Sequence, residues 1–217
     1  MRAATLDPGR GRFITLEGGE GAGKSTQARR LAAELAAGGL PVLRTREPGG
    51  APGAEAVRGL LLSAGGSWDP TAEAMLHFAA RREHVARSIE PALVAGLWVV
   101  CDRFADSTLA YQGFGQGVPR TALDGLRAIA LGGLRPDLTL ILDIAPEEGL
   151  ARAASRGERN RYEALSSGFH GRVRDGFRAI AAAEPERCLV LDATDSPEGV
   201  AATILAAVRA RLRPPTP

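Results

Sequence analysis

Five short apolar runs punctuate the chain: RFITLE (12–17), PVLRTR (41–46), LWVVCD (97–102), LTLILD (138–143) and CLVLD (188–192). Most are continuously apolar rather than alternating, the pattern of strands covered on both faces. Between them, apolar positions recur at helical spacing. This predicts a helix over 24–37, stopped by Gly38 and Gly39. A long helix is predicted over 69–95, with Asp69 as N-cap and Pro70 at the first helical position. Further helices are predicted over 119–131, 146–156, 163–183 and 197–212. Strands that alternate with helices imply an α/β fold, a five-stranded parallel sheet between two helical layers. No repeat or linker divides residues 1–217, so a single domain is expected. Residues 1–11 and 213–217 read as flexible tails, and 155–168, rich in polar residues and arginine, as a mobile stretch.

Composition narrows the function. At 217 residues and 45% hydrophobic, the chain can bury a sizeable core. A net charge of +2 and 5% aromatics argue against a nucleic-acid partner, which needs a basic face or stacking platforms. No run approaches the ~18 apolar residues of a membrane span. Cys101 and Cys188 lie far apart in apolar runs and match no metal spacing, so both are expected as buried free thiols. The opening MRAATLDPGRGR lacks the apolar segment of a secretory signal. Cytoplasmic residence is the expectation.

Of the 27 basic residues, one alone is lysine, Lys24, and it sits in GGEGAGKS. That stretch fits G-x-x-x-x-G-K-[ST], with Gly18, Gly23, Lys24 and Ser25 at the defining positions, after a predicted strand and before a predicted helix. Glycines let the backbone turn its N–H groups toward an anion, and the helix N-terminus adds partial positive charge. The lysine must reach two phosphates as a compact ammonium, a task unsuited to a planar guanidinium. Compositional drift toward arginine therefore stops at this position. Gly18, Gly19, Glu20, Gly21, Ala22, Gly23, Lys24, Ser25 and Thr26 are the expected binding loop for ATP, with Mg²⁺ on Ser25.

Since Lys24 is the only lysine, the guanine-selecting N-K-x-D motif is absent, and a GTPase is excluded. A small kinase fits the length. Asp102 and Arg103 follow the third strand, at the sheet edge where α/β proteins bind ligands. Asp102 is a candidate for Mg²⁺, directly or through water. Arg103 is a candidate clamp for a second phosphate, since a guanidinium matches phosphate bidentately. Arg46 is a second such candidate.

TREPGG (45–50), DRFADSTLAYQG (102–113), LILDIAPEEGLARAASRGERNR (140–161) and FITLEGGEGAGKSTQ (13–27) together resemble bacterial thymidylate kinases, from about Phe13 to Thr203. The resemblance implies a P-loop nucleoside-monophosphate kinase fold with a short lid, ATP and dTMP as small-molecule substrates, dTDP as product, and a homodimer. It also implies that Glu20 contacts the acceptor sugar or the magnesium shell. Phe78 is expected to stack on the thymine and Arg81 to bond the base edge, with Arg82 the next candidate. Ser107, Tyr111 and Gln112 are expected around the base and sugar. The loop carries no arginine, so the resemblance implies that a lid arginine stabilises the transferring phosphoryl group: Arg156 first, then Arg161. His77 departs from an often aromatic position. Asp143 is expected to be structural. A kinase for another nucleotide or a deoxynucleoside, and a non-catalytic ATP-binding protein, are the alternatives.

Overall fold

The computed structural model describes residues 9–63, 67–155 and 161–212. Its strands are β1 (Phe13–Gly18), β2 (Val42–Arg46), β3 (Trp98–Asp102), β4 (Leu138–Asp143) and β5 (Cys188–Asp192). They form one sheet in the order β2-β3-β1-β4-β5, and every pairing is parallel. Parallel neighbours require crossovers, which here are helical. The helices are α1 (Lys24–Ala37), α2 (Pro52–Leu62), α3 (Pro70–His84), α4 (Glu90–Val94), α5 (Ala105–Thr108), α6 (Arg120–Leu131), α7 (Pro146–Ala154), α8 (Ser167–Ala183) and α9 (Pro197–Leu212).

The continuous apolar runs serve two cores at once. Ile14, Leu16, Val100, Leu138, Leu140 and Leu142 pack with Leu31 and Leu35 of α1 and Ile204 and Val208 of α9. Phe13, Val99, Cys101 and Ile141, one position out of phase, pack on the opposite face with Phe78 of α3 and Val173, Phe177 and Ile180 of α8. A period of two along each strand thus serves two helical layers. Both cysteines are free and buried.

Four local features differ from the sequence reading. The expected helix over 69–95 is three pieces: α3, a π-helical turn at Val85–Ile89, and α4. Pro91 has no N–H to bond the carbonyl four residues back, so a regular α turn loses a hydrogen bond there. Helix α2 is an addition to the sequence reading, which places no element between the second strand and residue 69; it opens with Pro52 in its first turn and ends at Leu62. Residues 105–115 are also helical, α5 followed by a π-helical stretch at Leu109–Gly115. Helix α8 starts at Ser167, capped by Ser166, whose hydroxyl accepts from the Phe169 N–H, so 163–166 lies outside it.

Strands β3 and β4 flank β1, and the chain crosses to opposite sides of the sheet from there. The carboxyl ends of β1 and β3 open into a crevice, the usual ligand position of such sheets.

Candidate active site

The loop after β1 is shaped by glycine. Gly18, Gly21 and Gly23 take φ of 135°, 68° and 88°. At Gly21 a Cβ would lie 1.8 Å from the Gly149 carbonyl oxygen, and at Gly149 one would lie 2.3 Å from that of Glu20. The loop therefore rests directly on the backbone of α7, and neither glycine can carry a side chain. Helix α1 begins at Lys24 without a side-chain cap, which leaves its first N–H groups available to an anion. Lys24 donates to the Gly19 carbonyl at 2.6 Å. Burial, then the nearby Arg103, lower its pKa to about 8, although Glu20, Asp102 and Glu17 pull it upward.

Ser25, at the second position of α1, donates its hydroxyl to the Asp102 carboxylate at the end of β3. The next residue, Arg103, is the one non-glycine with positive φ among the described residues, at 70°. Its N–H donates to the Leu16 carbonyl at 2.9 Å, pinning the turn to β1. Glu17, fully buried on β1, secures the following residues. It accepts from the Phe104 N–H at 2.7 Å and the Ser107 hydroxyl at 2.5 Å. Burial and Asp106 push the Glu17 carboxyl up to about 7, against the lowering effects of Ser107, Arg103 and the Phe104 N–H. An arginine at positive φ, pinned by the Leu16 carbonyl and followed by residues that a buried carboxylate secures, is the kind of conformation that surrounding structure must maintain.

The Arg103 guanidinium donates to Glu20 Oε1 at 2.9 Å, the Gly18 carbonyl at 3.2 Å, the Ser107 hydroxyl at 3.2 Å and the Tyr111 hydroxyl at 3.2 Å. Tyr111 in turn donates to Glu20 Oε1 at 2.9 Å. Burial alone would raise the Glu20 pKa, but Arg103, Lys24 and the Tyr111 hydroxyl outweigh it and lower it to about 2. The carboxylate is thus ionised across the working pH range and welds the loop to Arg103 and Tyr111.

These groups line one cleft of about 290 Å³, together with Thr26, Arg46, Glu47, Pro48, Arg58, His77, Arg81, Thr108, Gln112 and Tyr162. Arg46 pairs with Glu55 at 3.3 Å, and Arg58 donates to the Pro48 carbonyl at 2.7 Å. Burial and Arg46 lower the pKa of Arg58. Arg81 is nearly inaccessible. It donates to Glu47 at 2.6 Å, Thr108 at 3.1 Å and the Phe104 carbonyl at 3.0 Å. Gln112 donates to Glu73 at 2.7 Å.

Several expectations are corrected here. Phe78 does not line the cleft: it is 3% exposed in the core, with the Arg81 guanidinium 4.8 Å from its ring centre. Arg82 leaves the cleft too, donating to the Ala130 carbonyl at 3.1 Å and pairing with Glu90. Phe78 and Arg82 are one helical turn apart and turn away together. The pair that faces the cleft is His77 and Arg81, shifted by one residue and so by about 100° around the helix. Arg161 is also absent from the cleft lining, since it pairs with Glu73 and donates to the Leu61 carbonyl at 3.2 Å. Arg156 lies outside the described residues. Ala22 is buried beneath the loop, and Gly18 and Gly19 border a small hollow behind it, near Asp143. Asp143 itself is bound by Arg174 at 2.8 Å and Arg178 at 2.7 Å, a structural role.

Arg58, Thr108 and the buried carboxylates Glu17, Glu47 and Glu73 were not singled out from the sequence. Arg58 lies on the unexpected α2, and a lone Glu in an apolar run is the one signal that marked Glu17.

Among the described residues no group of three or more His, Cys, Asp or Glu side chains is placed to hold a metal. Ser25 and Asp102 nevertheless bring a hydroxyl and a carboxylate together beside the loop. Two oxygen donors suit Mg²⁺, which keeps several waters and takes its other ligands from substrate phosphates. No helix among the described residues is long and apolar enough to cross a membrane.

Comparison with known proteins places this geometry. The family described as thymidylate kinase matches residues 16–204. The chain is similar to a thymidylate kinase of Bradyrhizobium diazoefficiens, 51% identical over 98% of this chain and 95% of the relative. It is similar to one of Caulobacter vibrioides, 52% identical over 93% of this chain and 98% of the relative. A crystal structure of thymidylate kinase from Ehrlichia chaffeensis superposes with a TM-score of 0.77 at 36% identity, covering 92% of this chain and 99% of that one.

Proposed function

From the premise that this chain belongs to the thymidylate kinase family and phosphorylates dTMP to dTDP with ATP, we propose how its residues divide the work. The observation that carries the proposal is the junction at Glu20. A residue of the ATP loop is bonded both to Arg103 and to Tyr111, so donor and acceptor ends of one cleft are built as a unit.

The ATP phosphates lie over the N–H groups of Gly19 to Thr26, with Lys24 released from the Gly19 carbonyl onto them. Arg103 takes the phosphate of dTMP bidentately, and Arg46 and Arg58 close its other side. Three guanidiniums around this end favour a phosphorylated acceptor over a nucleoside. Glu20 positions Arg103 and Tyr111. Tyr111 packs against the deoxyribose, while Ser107 holds the guanidinium of Arg103. Arg81, Thr108 and Gln112 reach the base, and His77 supplies the wall assigned to Phe78 from sequence. The attacking phosphate oxygen is already largely deprotonated at neutral pH, so positioning and charge stabilisation suffice without a general base.

Ser25 and Asp102 would hold Mg²⁺. When bound, the ion neutralises charge on the β- and γ-phosphate oxygens. Arg156 remains the proposed lid arginine. A homodimer through α2, α3 and α6 is supported by the exposed Leu60, Met75 and Ile129 on these helices. Cytoplasmic residence accords with two free, buried thiols. Turnover of dTMP by the purified chain with Mg-ATP, set against thymidine and other nucleotides, tests the assignment.

A further inference from the structure

The acceptor end contains a buried carboxylate that the mechanism above does not use. Glu73, on α3, is 0% exposed and collects four donors. Its Oε1 accepts from Gln112 Nε2 at 2.7 Å, Gln116 Nε2 at 3.2 Å and the Tyr162 hydroxyl at 2.9 Å, while Arg161 pairs with Oε2. A carboxylate so surrounded offers only lone pairs. Two assignments follow. The Gln112 amide must turn its nitrogen to Glu73 and its oxygen the other way. The Tyr162 proton is committed to Glu73, so its oxygen is the acceptor for His77 Nε2, 3.0 Å away. His77 is then the Nε2–H tautomer, with a lone pair on Nδ1. Burial, then Arg81, Arg103 and Arg161, keep the imidazole neutral.

We propose that Glu73 is the positioning residue of the base end of the cleft. Through Tyr162 and Gln112 it turns two acceptors, His77 Nδ1 and Gln112 Oε1, toward the bound base. The complementary ligand is a pyrimidine with a ring N–H, as in thymine or uracil. Cytosine presents a lone pair at that ring position and meets lone pairs on the wall. Arg81 contributes the opposite polarity, donors suited to a ring carbonyl. The proposal rests on the cleft being the dTMP site, but its first test does not.

That test is nitrogen-15 NMR of the histidine side chains in the ligand-free full chain. His77 is expected as the Nε2–H tautomer, and Tyr162→Phe is expected to convert it to a mixture. An Nδ1–H tautomer in the parent chain, or a ratio unmoved by Tyr162→Phe, overturns the proposal. The second test is kinetic. In Glu73→Gln the new amide donates where the carboxylate accepted, so Gln112 flips and the Tyr162 proton can turn to His77. The ratio of kcat/KM for dTMP over dCMP is expected to fall by roughly tenfold or more, with KM for ATP changed less than about twofold. Equal losses on both acceptors would show a merely structural carboxylate and overturn it. Should Glu73→Gln not fold, Tyr162→Phe serves for the same ratio, with a fall of ~3–10-fold expected for one neutral hydrogen bond and an unchanged ratio contradicting the proposal. Failure of the parent chain to use dTMP would instead refute the substrate assignment and leave the tautomer result standing.

Discussion

Arg103 and Glu20 form an ion pair of 2.9 Å across the floor of the cleft, each largely buried, one from the end of β3 and the other from the phosphate loop. The pair joins the phosphate loop to the turn after β3. It also explains why an anionic residue is tolerated inside a loop that binds anions: its charge is already matched before any phosphate arrives.

If Arg103 clamps the acceptor phosphate, Arg103→Lys keeps a charge but loses the bidentate fork. The expected result is a fall in kcat/KM for dTMP on the order of 100-fold, about 3 kcal/mol of transition-state stabilisation. KM for ATP should move less than about threefold. Steady-state kinetics with each substrate varied in turn separates the two effects.

The contact between Gly21 and Gly149 gives a second prediction. A methyl group at Gly21 would sit 1.8 Å from a carbonyl oxygen, on backbone with φ of 68°. Gly21→Ala must displace the loop or α7, at a cost of several kcal/mol. ATP affinity by titration calorimetry is expected to drop by at least about 100-fold. Gly19→Ala, where a Cβ meets nothing within 4 Å, is the control and should preserve the fold.

Glu17 predicts the pH dependence of stability. Its carboxyl is raised from 4.5 to about 7, so the folded state holds the proton more tightly than the unfolded chain. Its stabilising contribution is full below 4.5 and is lost as pH rises through 7. The loss amounts to about 3 kcal/mol. Glu17→Gln, permanently neutral, should flatten this part of the curve in urea unfolding followed by circular dichroism between pH 4.5 and 8. Glu20 acts in the opposite sense and in another window. Its pKa is depressed to about 2, so its contribution is present above 4.5 and lost as pH falls toward 2.

Chelation of divalent ions is expected to stop turnover. Ser25→Ala and Asp102→Asn should each raise the Mg²⁺ concentration for half-maximal rate by about tenfold, and a metal titration at fixed ATP reads the shift directly.

Much of this was legible in the sequence because each signal was local. The loop motif fixed the place of Lys24, and five apolar runs located five strands: β1, β3 and β4 are buried on both faces and need no partner to be recognised, while the edge strands β2 and β5 are partly exposed and were marked by their shorter apolar runs. The base end was harder to read. Whether His77 or Phe78 faces the cleft depends on the rotation of α3 against the sheet, which a one-residue shift changes by about 100°. Glu73, Tyr162 and Gln112 are 39 to 89 positions apart in their pairings, and nothing in the local pattern of any one of them announces the other two. For Arg161 the resemblance implies a lid arginine, whereas its partner Glu73 lies on another helix, a pairing that no local pattern announces.

The chain passes a phosphoryl group from ATP to the phosphate of dTMP. The most direct measurement is product formation by the purified chain with Mg-ATP and, separately, dTMP, dUMP, dCMP, dAMP, dGMP, UMP and thymidine. Efficient conversion of dTMP to dTDP is expected, with use of dUMP weaker by ~10–200-fold for the missing methyl group and none of thymidine. Preferred turnover of thymidine, or binding of ATP with no conversion of dTMP, would contradict it.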